Sequence, residues 1–300
     1  MKTNNIGSIF RYPGGKSKSN IRKKILSRFP KKYREFRDCF VGGGGVFFGI
    51  NPHSVDCRWI NDINKPLISV YEAVRDRLDE FLTLCRTIEP PIEGEPTTNP
   101  RLNSRGGKEY NKRLKEVFDF LKYNNNCDQA LRYFFINRTV WGGRVNYNPN
   151  MESRLYFSNP SGWNIIKTNK ISIASDYLQN TKITSVDFSE VIKEDGTDVL
   201  IYADPPYMRD TELASQSKLY ECGFEKNDHI RLRDCVLNSK HKIVISYDDH
   251  DGIRELYSDK IFRIYEEEWT YCGTSSPKNS ISQKNKTKGK ELIITNFHDT

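Results

Sequence analysis

The sequence predicts an α/β fold in which a sheet domain is interrupted by a mostly helical insert. Three observations carry that expectation. Apolar runs of strand length fall in two separated blocks, one before residue 61 and one after residue 170. Between the blocks, apolar residues recur mainly at helical spacing. Near the start, a strand, a glycine turn, a helix, a second strand, an acidic residue and another helix follow in order, which is the opening of a nucleotide-binding α/β unit.

The elements follow in chain order. Residues 1–15 are polar and end in Pro13-Gly14-Gly15, which predicts a loop. Ile21, Ile25, Leu26 and Phe29 predict a helix over 17–29 that Pro30 stops. The run 35–41 has strand character and opens into Gly42-Gly43-Gly44-Gly45; 55–60 reads as a second strand ending at Asn61-Asp62. Pro66 starts a helix expected to reach Leu84, with Leu67, Val70, Val74, Leu78, Phe81 and Leu82 on one face. Residues 88–107 have no apolar period and read as a loop. Helices are expected at 108–123 and 127–138, then a loop dense in aromatic residues, Arg and Asn from Thr139 to Asn164. Strand patterns resume near Ile171-Ser172-Ile173 and recur at 183–186, 198–203, 242–246, 261–265 and 291–295, with a helix near 226–239. The expected total is seven to eight strands.

Composition narrows the function classes. The 300 residues are 36% hydrophobic and 29% charged, with no run of 18 apolar residues and no apolar segment at the N-terminus, so neither a membrane span nor a secretory signal is expected. Sixteen Phe, 16 Tyr and four Trp supply too many apolar anchors for a disordered chain. Seven cysteines without a CxxC pair argue against a disulfide framework or a cysteine zinc site and point to a reducing cytoplasm; five scattered histidines give no metal site.

The formal charge is +8, and its distribution is uneven. Arg11 to Arg37 holds 11 basic residues against one acid, 81–170 holds 14 against 8, and 191–268 reverses to 11 against 18. Lys278, Lys284, Lys286, Lys288 and Lys290 form a last basic run. Three positive zones on a polar, aromatic-rich chain predict a footprint for a phosphate backbone.

Two motifs carry the chemistry. In Asp38-Cys39-Phe40-Val41-Gly42-Gly43-Gly44-Gly45, glycines beyond a strand allow a tight turn and close approach of a ligand. No GK[ST] closes the turn and Phe47 stands where GxGxxG needs its last glycine, so a pyrophosphate loop is not indicated. Asp62, at the end of the next strand, is placed to take both hydroxyls of a ribose, so an adenosine cofactor without pyrophosphate suits the turn. The second motif, Asp204-Pro205-Pro206-Tyr207, follows an apolar strand that two prolines must end. It presents a carboxylate, a backbone carbonyl and an aromatic face together, the parts needed to grip a planar heterocycle bearing an amine.

With Tyr12-Pro13-Gly14-Gly15-Lys16, Asn61-Asp62-Ile63-Asn64, Asn137-Arg138, Asp187-Phe188 and Glu291-Leu292-Ile293-Ile294 in the same order, the chain resembles the Dam-like, alpha-order class of adenine-specific DNA amino-methyltransferases over nearly its whole length. The resemblance implies a Rossmann-like S-adenosylmethionine-dependent methyltransferase sheet formed by 1–84 and 171–300, with 85–170 as a target-recognition insert. It implies Tyr12 and Lys16 near the methionine moiety of S-adenosylmethionine, Phe40, Gly42 and Gly44 as walls, Asp62 on the ribose, and Asp187 and Phe188 at the adenine ring. Asp204, Pro205, Pro206 and Tyr207 then form the target-adenine pocket: Asp204 and the Pro205 carbonyl accept from the amine, and Tyr207 stacks on a base flipped out of double-stranded DNA. No metal is implied.

Arg138, Trp141, Arg144, Asn146, Tyr147 and Arg154 are candidates for reading or intercalating bases, and Lys284, Lys286 and Lys288 for a basic hairpin on the DNA backbone. The segment after Arg138 departs from the pattern of GATC-recognising members, so no target sequence is transferred. The implied setting is the cytoplasm of a bacterium or a phage host, with a monomer expected, a dimer left open, and a cognate restriction endonuclease, if one exists, acting separately. Methylation of the cytosine amine or of RNA adenine, and a silent DNA-binding protein on the same scaffold, are the alternatives.

Overall fold

The computed structural model describes residues 6–11, 16, 19–88, 108–123, 126–139, 164–208, 224–270 and 288–298. The first helix, α1 (Ser19–Leu26), buries Ile21 and Ile25, the pair whose spacing predicts it. Strand β1 (Glu35–Asp38) leads into the glycine turn, and β2 (Cys57–Asn61) pairs parallel to it. Asn64 caps α2 (Lys65–Asp76) by accepting from the Leu67 amide, with Pro66 in the first turn, where its missing N–H costs nothing. The single helix expected over 66–84 is two: Arg77 leaves helical geometry at φ −145°, and α3 (Leu78–Thr87) starts beyond it, burying Phe81, Leu82 and Cys85.

Helices α4 (Lys108–Tyr123) and α5 (Gln129–Thr139) follow as expected. Among the described residues they do not build a separate core. Val117, Phe118, Leu121, Leu131, Phe134 and Phe135 join the cluster that covers one face of the sheet, and α5 packs on α2 and α3.

The strand expected at Ile171-Ser172-Ile173 is a helix, α6 (Lys170–Leu178). Two isoleucines flanking a serine alternate as in a strand, but Ile171, Ala174 and Leu178 are the buried positions, a spacing of three and four that only a helix puts on one face. The chain then forms β3 (Thr181–Thr184), α7 (Phe188–Lys193), β4 (Val199–Ala203), α8 (Lys226–Leu237), β5 (Lys242–Asp248), α9 (Asp251–Leu256), β6 (Arg263–Thr270) and β7 (Lys288–Thr295).

Seven strands make one sheet in the order β3-β2-β1-β4-β5-β7-β6. The first five in that order are parallel; β7 runs antiparallel between β5 and β6. Along β4 the side chains alternate, Leu200 and Tyr202 facing one core and Val199, Ile201 and Ala203 the other. Both faces are covered, which is why the strand reads as a continuous apolar run. Strand order reverses at β1, whose neighbours are β2 and β4, so the chain leaves β1 and β4 on either side of a switch point. Ligands of parallel α/β sheets bind in the crevice at such a point, beyond the carboxyl ends of the strands. The glycine turn and the Asp204 corner both lie there. Among the described residues no helix is long and apolar enough to cross a membrane.

Candidate active site

Asn61, fully buried at the end of β2, knits three strand ends together. Its Nδ2 donates to the carbonyls of Cys39 and Val186, and its Oδ1 accepts from the Val186 amide and the Thr184 hydroxyl. Next to it, Asp62 accepts the Gly42 amide on Oδ2 and the Asn64 amide on Oδ1, each at 3.0 Å. Burial pushes its carboxyl up to about 6, and those two N–H donors pull the other way. A carboxylate has about four acceptor sites, so two remain for hydroxyl donors.

The glycine turn is held from beneath. Gly42 and Gly44 adopt φ +45° and +70°, and the Tyr71 hydroxyl of α2 donates to the Gly42 carbonyl at 2.8 Å. A Cβ on Gly44 would lie 2.7 Å from the Phe48 ring and 2.8 Å from that hydroxyl, so glycine is required by backbone and by space.

An aromatic group lines the other side of the turn. Phe40 meets Phe188 at 5.6 Å between centroids, and Phe224 lies 5.7 Å from Phe40 and 5.8 Å from Phe188. Phe188 is buried in the core, while Phe40 keeps partial exposure. Asp187 caps α7 by accepting the Ser189 amide and also takes Arg231 Nη2 at 2.9 Å; burial opposes its ionisation, but these bonds hold the carboxyl below its ordinary range. Beside Asp62, Ile63 is 48% exposed and offers an apolar surface.

At the end of β4, Asp204 is only partly exposed. Its Oδ1 accepts the Ser246 hydroxyl of β5 at 2.7 Å, and Ser246 shares a 2.8 Å bond with the Tyr202 hydroxyl. Lys16, buried, places Nζ 3.2 Å from the same Asp204 oxygen and 3.1 Å from Glu291 Oε2, bonds the Tyr207 hydroxyl, and stands 4.6 Å from the Tyr207 ring centroid. Burial alone would lower its pKa, but Asp204 and Glu291 outweigh burial and raise it. Tyr207 is backed by the buried Tyr247 ring at 6.4 Å, and Tyr247 shares a 2.9 Å bond with His229 Nδ1. Asp38, at the end of β1, is pushed well up by burial and by the nearby Asp204 and Asp62.

The site is therefore an acidic crevice. Asp38, Asp62, Asp204 and Glu291 converge on the strand ends with Lys16 among them, which suits a ligand carrying positive charge and a ribose diol beside aromatic surface. Among the described residues no cluster fit to hold a metal ion occurs.

The structure brings Phe40, Gly42, Gly44, Asp62, Asp187 and Phe188 together around the glycine turn. It brings Lys16 to the Asp204–Tyr207 corner. Tyr12, Trp141, Arg144, Asn146, Tyr147, Arg154, Lys284 and Lys286 lie outside the described residues; Lys288 opens β7. Arg138 lies in the last turn of α5 beside Arg11; burial and that second guanidinium pull its pKa down to about 10. Its neighbour Asn137 is fully buried against the Arg11 backbone. Sequence reasoning gave no role to Asp38, Asn61, Ser246, Phe224 or Glu291. Only Asp38, Asn61 and Glu291 stood in quoted motifs, and a motif does not say what a side chain touches.

Residues 12–272 match the profile of a family described as D12 class N6 adenine-specific DNA methyltransferase. The chain is 28% identical over 298 residues, 98% of its length and 96% of the relative's, to the type II methyltransferase M1.LlaDCHI of Lactococcus lactis subsp. cremoris. It is 26% identical over 236 residues, 76% of this chain and 78% of the relative, to the type II methyltransferase M.MjaIII of Methanocaldococcus jannaschii. Against the DNA adenine methylase of Haemophilus influenzae the identity is 22% over 295 residues, 95% and 92% of the two chains.

Proposed function

Because the chain belongs to the family of D12 class N6 adenine-specific DNA methyltransferases, and is thus an enzyme that methylates adenine in DNA, we propose that the Asp204–Tyr207 corner is where the adenine amine is taken up. One observation carries this: an amine-type donor, the Lys16 ammonium, already sits on Asp204 and over Tyr207, so the corner has the acceptor and aromatic face a target amine requires.

The methyl donor we propose is S-adenosylmethionine, which when bound supplies an electrophilic methyl on a sulfonium centre. Asp62 would hold the ribose hydroxyls, Gly42 and Gly44 let the backbone approach, and Phe40, Phe188 and Ile63 give apolar surface to the adenine ring. Asp187, whose carboxylate stays ionised, would address the ring's amine. Lys16 and Tyr12 complete the site near the methionine moiety. The acidic crevice favours a cationic ligand.

An aromatic amine is a poor nucleophile because its lone pair is delocalised into the ring. Asp204, fixed by Ser246, and the Pro205 carbonyl accept its two N–H bonds and turn the pair out of conjugation, while the rigid Pro205-Pro206 corner fixes the angle of approach. Tyr207 offsets part of the stacking that a flipped base loses, roughly 1–3 kcal/mol.

For DNA, we assign the recognition role to the part of 85–170 around and beyond Arg138. Two adjacent guanidiniums, Arg138 and Arg11, support a phosphate contact there. Trp141, Arg144, Asn146, Tyr147 and Arg154 would read or part the bases, and the β6–β7 hairpin would carry Lys284, Lys286 and Lys288 to the backbone. The proposed working form is a cytoplasmic monomer on double-stranded DNA, within a restriction-modification pair if a cognate endonuclease accompanies it.

The test is transfer of tritium from labelled S-adenosylmethionine to unmethylated genomic DNA, with digestion to nucleosides and Asp204→Ala as control. Label in methyladenine that the variant abolishes is the expected result. A folded Asp204→Ala protein of undiminished activity would remove the corner from the reaction.

A further inference from the structure

One buried carboxylate of the site has no task in the reaction as described. Glu291 lies in β7 with no exposed surface, and its Oε2 stands 3.1 Å from Lys16 Nζ. Toward the corner, the same ammonium lies 3.2 Å from Asp204, bonds the Tyr207 hydroxyl and stands over the Tyr207 ring. Lys16 thus gives Asp204 and Tyr207 the contacts that a target amine would give them. An entering base must take that place from it. A buried ammonium that leaves one carboxylate needs another, since an unpaired buried charge is strongly disfavoured. Glu291 is already in contact. Its strand is hydrogen-bonded on both sides, opposite Asp248 of β5 and Glu267 of β6, so its backbone is fixed.

We propose that Glu291 is a positioning residue for methyl transfer, retaining the Lys16 ammonium while the target amine takes over Asp204, a role that rests on Asp204 as the acceptor of that amine. Glu291 cancels the lysine charge and leaves Asp204 its full acceptor strength. With a neutral residue at 291, Asp204 is the one carboxylate ion-paired to Lys16 among the described residues, and lysine and base compete for it.

Glu291→Gln, Lys16→Met and the double variant form a cycle that separates this role from a structural one. Single-turnover methylation of unmethylated genomic DNA, with enzyme in excess, stays measurable for slow variants. It gives the maximal rate and the half-saturating DNA concentration separately, and calorimetry gives S-adenosylmethionine affinity. Glu291→Gln is expected to lower the DNA specificity constant about tenfold or more, mainly by raising half-saturation, with cofactor affinity kept within about twofold. In the Lys16→Met background the same substitution is expected to have little further effect. An unchanged specificity constant for Glu291→Gln, or an equal loss in both backgrounds, overturns the proposal. Should Glu291→Gln fail to fold in a thermal melt, the neutral Glu291→Met is read in the same cycle by the same criteria. A fully active Asp204→Ala enzyme is a different result: it removes the acceptor itself, and the role of Glu291 with it.

Discussion

The carboxamide of Asn137 closes on Arg11 from both sides: Oδ1 accepts the Arg11 amide at 3.0 Å, and Nδ2 donates to the Arg11 carbonyl at 2.8 Å. This amide does for an isolated residue what a neighbouring strand would do. It ties the last turn of α5 to the segment that leads, five residues on, to Lys16. Asn137→Ala leaves both half-buried backbone groups without that partner, and the expected cost is about 1–3 kcal/mol in urea unfolding. Asn137→Asp keeps the acceptor but turns a second one toward the Arg11 carbonyl, and is expected to do no better.

Ser246 holds Asp204 through a 2.7 Å bond from its hydroxyl. Ser246→Ala is expected to slow methyl transfer roughly 10–100-fold, the worth of a hydrogen bond to a charged group. Cofactor affinity, measured by calorimetry, should be unchanged.

Asp62 gives two pH dependences of opposite sign. Its native carboxyl lies near 6, above the ordinary value of 3.8, so the folded protein binds the proton more readily than the unfolded chain. Its contribution to stability is complete below pH 3.8 and is lost as pH rises through about 6. Affinity for S-adenosylmethionine should move the other way, falling up to about tenfold per unit below pH 6 as the acceptor is protonated. Asp62→Asn is expected to remove both trends, read by urea titrations and calorimetry across pH 4–8.

Gly44→Ala forces a side chain onto φ +70° and into the Phe48 ring and the Tyr71 hydroxyl. The expected loss is more than about 2 kcal/mol of stability. Because that hydroxyl supports Gly42, cofactor affinity should fall with it, whereas Tyr71→Phe should lose affinity with a smaller loss of stability.

How much of this was legible depended on whether a signal was local. The glycine turn, Asp62 at a strand end and the Asp204 corner announce themselves because each couples a backbone constraint to a chemical group within a few residues. The helix at Lys170–Leu178 reads as a strand from sequence because three residues cannot distinguish a period of two from one of 3.6; the deciding positions, Ala174 and Leu178, lie one and two turns beyond Ile171. Ser246 was invisible as a site residue because its meaning is a bond to a residue 42 positions earlier. Glu291 stands in a strand pattern, yet a buried carboxylate in an apolar strand becomes intelligible only with Lys16 beside it. Arg77 broke the predicted helix without a proline or glycine to announce it.

Strand β7 sits between β5 and β6 but is made after both. Without Lys288–Thr295, β5 would be open along one edge, β6 would have no strand to pair with, and Lys16 would keep Asp204 but lose Glu291. The strand made last is therefore the one that ties β6 into the sheet and brings Glu291 to Lys16.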